Sequence, residues 1–307
     1  MPYDTNKVAI VGAGNVGMTA AYAILQQGFV NELVLVGRNK DSLIGEKLDL
    51  EHGMSFLPFT RVIITDDYAT LADSDIVIIT AGAAQKPGET RLDLTAKNVA
   101  IIETIIPQVV SNAPSAVIVI VSNPVDVLTY KAYQLAGLPK GKIFGTGTTL
   151  DTARYRFHLS EFLKVNPKSI HAYVLGEHGD SSFPVLSSAS VGGQPITTIG
   201  RFNEDRAQKA YEKARDAAYK IIETKGSTYY GIGTVIAHIV DKILRNSRSV
   251  LPLSIPLHNY YGISGVSLSV PCIIGRNGVE DVLEIKLSWE EKQLLERSAN
   301  KVKQFVA

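Results

Sequence analysis

The 307-residue chain has little of what would mark a secreted, membrane-bound or nucleic-acid-binding protein. Its one cysteine, Cys272, excludes an internal disulfide, which fits the reducing conditions of the cytoplasm. The 31 basic residues nearly balance the 30 acidic ones, so the chain lacks the strong field typical of proteins that bind nucleic acid or membrane surfaces. Residues 1–6 lack the basic-then-apolar pattern of a signal peptide. We therefore expect a cytoplasmic protein that binds neither nucleic acid nor a membrane.

A long uncharged run at residues 8–31 has the length of a membrane span. Glycines interrupt it, β-forming residues precede them and helix-forming residues follow them. A strand, a tight turn and a buried helix explain the run better, so we predict no transmembrane segment.

The first half of the sequence alternates short apolar runs with helical stretches. Strands are predicted at 7–11, 32–36, 61–65, 76–80 and 117–121, with early helices at 15–27, ended by Gly28, and at 40–52. Pro107 and Pro124 punctuate the later helices. Unbroken apolar strands between helices are typical of a parallel sheet that is covered on both faces.

The pattern changes after about residue 150. Helices are predicted at 150–163, 204–224 and near 228–244, strands around 174 and at 185–191, 195–196, 250–256 and 267–275, and a closing helix from Trp289. Helix 204–224 carries one apolar stripe, formed by Ala207, Ala210, Tyr211, Ala214, Ala217, Ala218, Ile221 and Ile222. No repeat or linker separates the halves, so we expect them to pack tightly around a cleft.

A glycine-rich loop, GAGNVG at residues 12–17, follows the first predicted strand and opens the first helix. The first glycine permits the turn, the second lets a pyrophosphate approach the backbone, and the third lets helix and strand pack. The helix N-terminus would face the phosphates. This context predicts a dinucleotide site formed by Gly12, Gly14, Asn15, Val16 and Gly17. We predict an α/β protein, with an N-terminal Rossmann doubly wound parallel sheet over 1–147 and a C-terminal α+β substrate domain over 148–307.

The second predicted strand is followed by Gly37 and Arg38, where an NAD site usually has an acidic residue. Losing the acid removes both an acceptor for the ribose hydroxyl and the repulsion of a 2′-phosphate, and Arg38 could pair with such a phosphate. Alternatively, Arg38 is a solvated loop residue and NAD binds through its other contacts. The sequence leaves both NAD and NADP open.

His178, with a glycine nearby on each side, follows a predicted strand in the sequence GEHGD at residues 176–180. Upstream, Asp151 and Arg154 are three residues apart and share one helix face. An aspartate can orient His178 for proton transfer near neutral pH, and an arginine can grip a carboxylate with two parallel hydrogen bonds. Each residue alone is more often structural, so the alternative is a hydrogen-bonded role without chemistry.

Five motifs together carry a resemblance to a known family. They are GAGNVG at 12–17, QKPGETR at 85–91, SNPVD at 122–126, LDTAR at 150–154 and GEHGD at 176–180. In this order they resemble the L-lactate dehydrogenases, especially their bacterial branch, and the similarity runs from the first strand to the last helix. The family places aspartate at the position of Gly37, which is the clearest departure.

The resemblance implies catalytic roles in pyruvate reduction and L-lactate oxidation. His178 would give a proton to the keto oxygen, or take one back. Asp151 would hold the imidazole and stabilise its charged form, and Arg154 would fork the substrate carboxylate. Arg91, in a stretch with proline and glycine, would polarise the carbonyl from a closing lid. Taken alone, Arg91 could equally be a surface arginine.

Further substrate and cofactor residues follow from the same resemblance. Asn123 would hydrogen-bond the substrate and flank the nicotinamide, while Thr228 and Ile232 would line the substrate and nicotinamide sides. The remaining cofactor contacts would be Ala81, Gly82, Asn98 and Ser122. Gln85 would select the substrate, because family members acting on malate have arginine there, and an amide leaves a second carboxylate unpaired.

Arg156 lies two residues beyond Arg154, and on a helix the two therefore point in nearly opposite directions. In bacterial L-lactate dehydrogenases, the matching arginine and a histidine matching His171 bind fructose 1,6-bisphosphate across a subunit interface. The resemblance thus implies an allosteric homotetramer. An ion-paired interface without an effector is the alternative.

The sequence leaves two other functions to be weighed against an L-lactate dehydrogenase. A malate or broader 2-hydroxy acid dehydrogenase is disfavoured by Gln85. A non-catalytic protein that senses the dinucleotide would be expected to lose His178, Asp151, Arg91 or Arg154, and all four are present.

Overall fold

The computed structural model describes residues 6–83 and 91–306, except for the side chains of Lys40 and Arg91. The strands of the first half are β1 (Lys7–Val11), β2 (Glu32–Val36), β3 (Arg61–Thr65), β4 (Ile76–Ile79), β5 (Val117–Ile120) and β6 (Ile143–Gly145). Those of the second half are β7 (Ile170–Leu175), β8 (Phe183–Val191), β9 (Gln194–Pro195), β10 (Ser249–Pro256), β11 (Ser267–Gly275) and β12 (Gly278–Val282). Within the described residues, nine of these strands form a larger sheet in the order β12-β11-β10-β6-β5-β4-β1-β2-β3, and a second sheet has the order β7-β8-β9.

The helices lie between these strands and on both faces of the larger sheet. They are α1 (Asn15–Gln27), α2 (Lys40–His52), α3 (Arg91–Asn112), α4 (Val125–Ala136), α5 (Thr149–Leu163), α6 (Glu204–Lys225), α7 (Tyr230–Leu244) and α8 (Trp289–Lys303). Pro107 lies inside α3 and does not interrupt it, whereas Pro124 immediately precedes α4. Among the described residues, none of the helices has the length and apolar character needed to span a bilayer.

Strands β1 to β6 form the parallel part of the larger sheet and confirm the predicted fold class. Their side chains are nearly all buried, because separate apolar clusters cover the two faces. Strand order reverses between β1 and β4, so the carboxyl ends of these strands open a crevice where α/β proteins bind ligands. The predicted strands in this part match the observed ones to within one residue.

The second half adds three antiparallel strands, β10 to β12, to the same sheet. The short β6 joins them through the pair Gly145 and Ser254. A Cβ at Gly145 would stand 2.4 Å from Oγ1 of Thr129, so only glycine fits this approach of α4 to the sheet. Neither β6 nor β12 is apparent from the sequence pattern.

Helix packing brings the second half against the glycine loop. Helices α1 and α7 lie side by side, and a Cβ at Gly233 would stand 2.6 Å from the Thr19 side chain. A third apolar cluster joins α5, β7 and α6. The predicted α6 stripe is buried only from Ala207 to Ala214, and Ile222 is 50% exposed.

Candidate active site

The glycine loop forms a backbone cradle at the carboxyl end of β1. Gly12 has φ of +113°, and a Cβ there would stand 2.5 Å from the Ala81 backbone nitrogen. A Cβ at Gly17 would stand 2.0 Å from the Gly12 carbonyl, whereas one at Gly14 would meet no atom within 4 Å. The loop is therefore closed on its protein side and open where Gly14 lies. Asn15 is exposed and Val16 is half-buried at the start of α1.

The ends of β4 and β5 lie beside this cradle and are joined by side chains. Ser122 Oγ donates to the Ala81 carbonyl at 2.6 Å, and Gly82 is exposed next to it. The buried Asn98 Nδ2 donates to the carbonyls of Ala83 at 3.2 Å and Asn123 at 2.7 Å. Asn98 thus holds two loop backbones in place, and the Asn123 residue itself is exposed.

At the end of β2, the Gly37 N–H donates to the Thr65 carbonyl at 3.0 Å. A Cβ on Gly37 would lie 3.2 Å from Leu43 Cδ1, the end of a flexible side chain. Arg38 follows and is exposed, just before the Asn39 side chain that caps α2.

His178, Asp151 and Arg154 converge in the second half of the chain. His178 Nδ1 lies 2.6 Å from Asp151 Oδ2, and Arg154 Nη1 donates to Asp151 Oδ1 at 3.2 Å. Asp151 is in the first turn of α5, which places it and Arg154 on one helix face. The side chains of Asp151 and Arg154 are 10% and 13% exposed, so water screens their charges weakly. Within the described residues, no group of side chains has the arrangement of a metal site.

Burial and charge act in opposite directions on this pair. Burial alone would raise the pKa of Asp151, but the charge and hydrogen bond of His178 and the charge of Arg154 hold that pKa below its usual value. The charge of Asp151 raises the pKa of His178, against burial, which lowers it. The hydrogen bond that His178 donates to Asp151 and the charge of Asp126 add to the rise, and the charge of Arg154 opposes it. The site therefore favours an imidazolium facing a carboxylate.

A second carboxylate, Asp126 of α4, contacts the same histidine through its backbone. The His178 N–H donates to Asp126 Oδ2 at 2.7 Å, and Ser254 Oγ donates to Asp126 Oδ1 at 2.6 Å. Burial raises the pKa of Asp126 to about 6, against these hydrogen bonds, which lower it. Asp126 belongs to the SNPVD motif at 122–126, for which the sequence predicts no role of this aspartate. The available signal was an acid among Val125, Val127 and Leu128, all apolar.

The loop between α6 and α7 lies over the glycine cradle. Asn15 Nδ2 donates to Ser227 Oγ at 3.2 Å, which joins the first half to the segment that carries Thr228. Thr228 is half-buried, and Ile232 is half-buried in the first turn of α7. The predicted cofactor and substrate residues of the two halves thus adjoin here.

Arg156 and His171 lie on the other side of α5 from Arg154. Arg156 Nε donates to the Ala172 carbonyl at 2.9 Å, and its guanidinium lies 5.4 Å from the centre of the Tyr173 ring. His171 is exposed on β7, directly before Ala172. Arg156 therefore contacts the residue that follows His171 in β7, whereas Arg154 contacts Asp151 on its own helix. Two further predicted substrate residues, Gln85 and Arg91, have side chains that lie outside the described residues.

Taken together, these contacts define what the site can do. A carboxylate-steadied imidazole can exchange a proton, and the neighbouring guanidinium can bind an anion. Both belong to the second half of the chain, while the open glycine cradle of the first half suits a phosphate-bearing ligand.

Two family models match the chain in succession. The model described as lactate/malate dehydrogenase, NAD binding domain, matches residues 6–145. The model described as lactate/malate dehydrogenase, alpha/beta C-terminal domain, matches residues 148–307.

Known proteins are similar over the same span. The L-lactate dehydrogenase of Priestia megaterium is 45% identical over 304 residues, which cover 98% of this chain and 95% of that protein. The L-lactate dehydrogenase of Acetivibrio thermocellus is 44% identical over 310 residues, covering 98% and 96%. A ligand-bound crystal structure of the minor L-lactate dehydrogenase from Enterococcus mundtii superposes with a TM-score of 0.95, at 41% identity and 98% coverage of each chain. A lactate dehydrogenase from a deep-sea metagenome library of the Medee basin gives 0.94, at 39% identity and 98% coverage of each.

Proposed function

Because the chain belongs to the lactate/malate dehydrogenase family, we propose that it catalyses reversible hydride transfer between NADH and pyruvate, giving L-lactate. It acts as an NAD-dependent L-lactate dehydrogenase. The observation that carries the chemistry is the 2.6 Å contact of His178 Nδ1 with Asp151, beside Arg154 on the same helix face. Reduction of a 2-keto acid needs both parts, a proton donor for the keto oxygen and a cation for the carboxylate.

The residues of the glycine cradle fit a dinucleotide. The open space at Gly14 admits a pyrophosphate where a side chain would block it, and the first-turn N–H groups of α1 have no partner within the helix. NADH supplies the hydride when bound. Gly12, Gly14, Asn15, Val16 and Gly17 would hold the pyrophosphate, and Ala81, Gly82, Asn98, Ser122, Asn123 and Ile232 would complete the cofactor site.

His178 would carry the proton. Since Nδ1 faces Asp151, Nε2 is the nitrogen that would donate to the keto oxygen in reduction and accept from the hydroxyl in oxidation. Asp151 would keep the ring oriented and stabilise the imidazolium, a contribution of roughly 10²–10⁴-fold for a well-placed acid–base group.

Arg154 would bind the substrate carboxylate. One guanidinium nitrogen contacts Asp151, and a planar guanidinium has enough donors to fork a carboxylate as well. Asn123 and Thr228 would contact the rest of a small substrate. This arrangement supports a 2-keto acid such as pyruvate.

The roles of Arg91 and Gln85 are inferred from the motif at 85–91 and from the family resemblance. Arg91 would polarise the carbonyl, and Gln85 would leave a second substrate carboxylate without a counter-charge, so oxaloacetate should be a poor substrate. Replacement Gln85→Arg is expected to gain oxaloacetate reduction, with Gln85→Lys as a control that adds charge without the bidentate fork. No gain in either variant would contradict this role for Gln85.

One steady-state survey tests the proposed function. NADH oxidation is followed by the loss of NADH absorbance, with pyruvate, oxaloacetate and a branched 2-keto acid as substrates. We expect the highest kcat/KM with pyruvate and almost none for His178→Gln. Equal or higher kcat/KM with oxaloacetate would indicate a malate dehydrogenase, and a flat trace with all three acids would indicate a non-catalytic dinucleotide-binding protein.

The protein would also use NADPH in place of NADH. The exposed Arg38 and the lack of an acid at Gly37 support relaxed discrimination between NADH and NADPH. Gly37→Asp should lower kcat/KM for NADPH relative to NADH, because the new carboxylate would repel the 2′-phosphate. The side chain should fit, since only the flexible end of Leu43 must move to admit it. Gly37→Asn, with the same shape and no charge, is the control. A large preference of the wild type for NADH would refute relaxed discrimination.

Activation by fructose 1,6-bisphosphate in a homotetramer is a further part of the proposal. Arg156 contacts the Ala172 carbonyl, next in the chain to the exposed His171, and its guanidinium lies 5.4 Å from the centre of the Tyr173 ring. Rates at low pyruvate should rise with the bisphosphate in the wild type and not in Arg156→Gln. Identical wild-type curves with and without it would refute activation, and sedimentation would test the tetramer.

A further inference from the structure

The catalytic loop that carries His178 is held by three consecutive backbone N–H groups. Gly176 donates to the Ser269 carbonyl of β11 at 3.1 Å, and Glu177 donates to Ser298 Oγ of α8 at 2.7 Å. The third, His178, donates to Asp126 Oδ2 of α4 at 2.7 Å. The first two contacts stay within the second half of the chain. The Asp126 contact is the one among the three that ties the histidine to the first half.

The acceptor is itself fixed. Asp126 is 2% exposed, and its other carboxylate oxygen accepts from Ser254 of β10, which is fully buried. A buried carboxylate is costly unless it is hydrogen-bonded, and its two oxygens here meet one donor each. Removing Asp126 would leave both of these donors buried without this acceptor.

Asp126 lies in the first turn of α4, close to a predicted residue of the cofactor site. Asn123, assigned above to the substrate and nicotinamide side, lies three residues before Asp126 and just ahead of the same helix. One end of α4 therefore sets both the backbone of the proton-carrying residue and a residue of the cofactor side. Hydride and proton transfer to one carbonyl need these two groups in a fixed relation.

We propose that Asp126 is a positioning residue, which fixes His178 against the cofactor half through the backbone and supplies a second negative charge beside the imidazole. The proposal rests on the function proposed above. The charges that bear on the imidazole are Asp151 and Arg154 from α5 and Asp126 from α4, while Glu177 in the loop acts on Asp126.

Two substitutions separate position from charge. In Asp126→Asn, the amide oxygen can still accept from His178 and the amide nitrogen can donate to Ser254 Oγ, so the geometry stays and the charge is lost. Asp126→Ala loses both. We expect the alanine variant to lose on the order of 10²-fold in kcat, with a smaller change in KM, because misplacing a reacting group by about 1 Å costs that much.

The asparagine variant should keep most of its kcat, but the pKa of His178 should fall because a neighbouring negative charge is gone. The control is Glu291→Gln, since Glu291 is another buried carboxylate that accepts backbone N–H groups, from Leu186 at 2.8 Å and Ser187 at 3.1 Å. Glu291→Gln should lower thermal stability without moving the His178 titration or the pH profile of kcat/KM.

The readouts are the pH profile and NMR titration of the histidine ring, with the His178 signal identified by its loss in His178→Gln. An unchanged His178 titration in Asp126→Asn would overturn the charge role, and a folded Asp126→Ala with wild-type kcat would overturn the positioning role. If the alanine variant does not fold, a loss of about 10²-fold in kcat for Asp126→Asn would overturn the separation of position from charge. The titration needs no turnover, so failure of the wild type to reduce pyruvate would refute the proposed function separately.

Discussion

Two buried carboxylates contact the same histidine, one at its ring and the other at its backbone N–H. Asp151 faces the imidazole ring, beside Arg154, whereas Asp126 accepts the backbone N–H and has a neutral serine as its second donor. Their pKa values move in opposite directions, below the usual value for Asp151 and up to about 6 for Asp126. Burial acts on both, so the difference comes from the cations around Asp151. The charged form of Asp151, which is paired with the reacting ring, is therefore stabilised. The charged form of Asp126, which holds the loop, is destabilised by burial.

The largest effect is expected from Asp151→Asn. The amide keeps the size of the side chain and loses the charge that stabilises the imidazolium, so the pKa of His178 should fall and kcat/KM for pyruvate reduction should drop by roughly 10²–10⁴-fold. Stopped-flow and steady-state rates between pH 5 and 9, the range in which histidine titrates, would measure both changes.

The rates of reduction and oxidation should depend on pH in opposite directions. Reduction uses the protonated ring, so wild-type kcat/KM should fall as the pH rises through the pKa of His178, which lies above 6.5. Lactate oxidation uses the neutral ring and should rise over the same range. In Asp151→Asn both curves should move to lower pH. A loss in that variant no larger than in Asp126→Asn would erase the distinction between the two carboxylates.

A smaller effect, on stability, is expected for Asp126→Asn. The carboxyl binds its proton more tightly in the native chain than in the unfolded one, so the native state holds more protons between pH 3.8 and about 6. The contribution of Asp126 to the free energy of unfolding therefore falls as the pH rises through that window, by on the order of 3 kcal/mol.

Asparagine cannot ionise, so Asp126→Asn should gain stability relative to the wild type at pH 7.5 and lose that advantage near pH 4. Thermal or urea unfolding at both pH values would measure it, because changes at other groups cancel between the two proteins. If wild type and Asp126→Asn differed in stability by the same amount at both pH values, ionisation of Asp126 would not destabilise the native state.

The same contrast separates what the sequence predicts from what it does not. The loop at 12–17 and its flanking strand and helix are set by neighbouring residues, so pattern and glycine spacing predict them. The pairing of His178 with Asp151 follows from motifs compared with a known family. The contact of Asp126 with His178 joins residues 52 apart through a backbone N–H, which no side-chain pattern encodes. Likewise β6 is three residues long, and its assignment depends on the partner strands.

The smallest effect is expected from Arg154→Lys, which changes the third charge of the site. Lysine keeps the positive charge near Asp151 but cannot fork a carboxylate, so KM for pyruvate should rise by about 10- to 100-fold, the equivalent of one lost charged hydrogen bond. Because the charge remains, the His178 titration should move little, in contrast to Asp151→Asn. Steady-state kinetics with the NMR titration would measure both, and Arg154→Gln is the control that removes the charge as well. A lysine variant with unchanged KM would show that Arg154 supports Asp151 and does not bind the substrate.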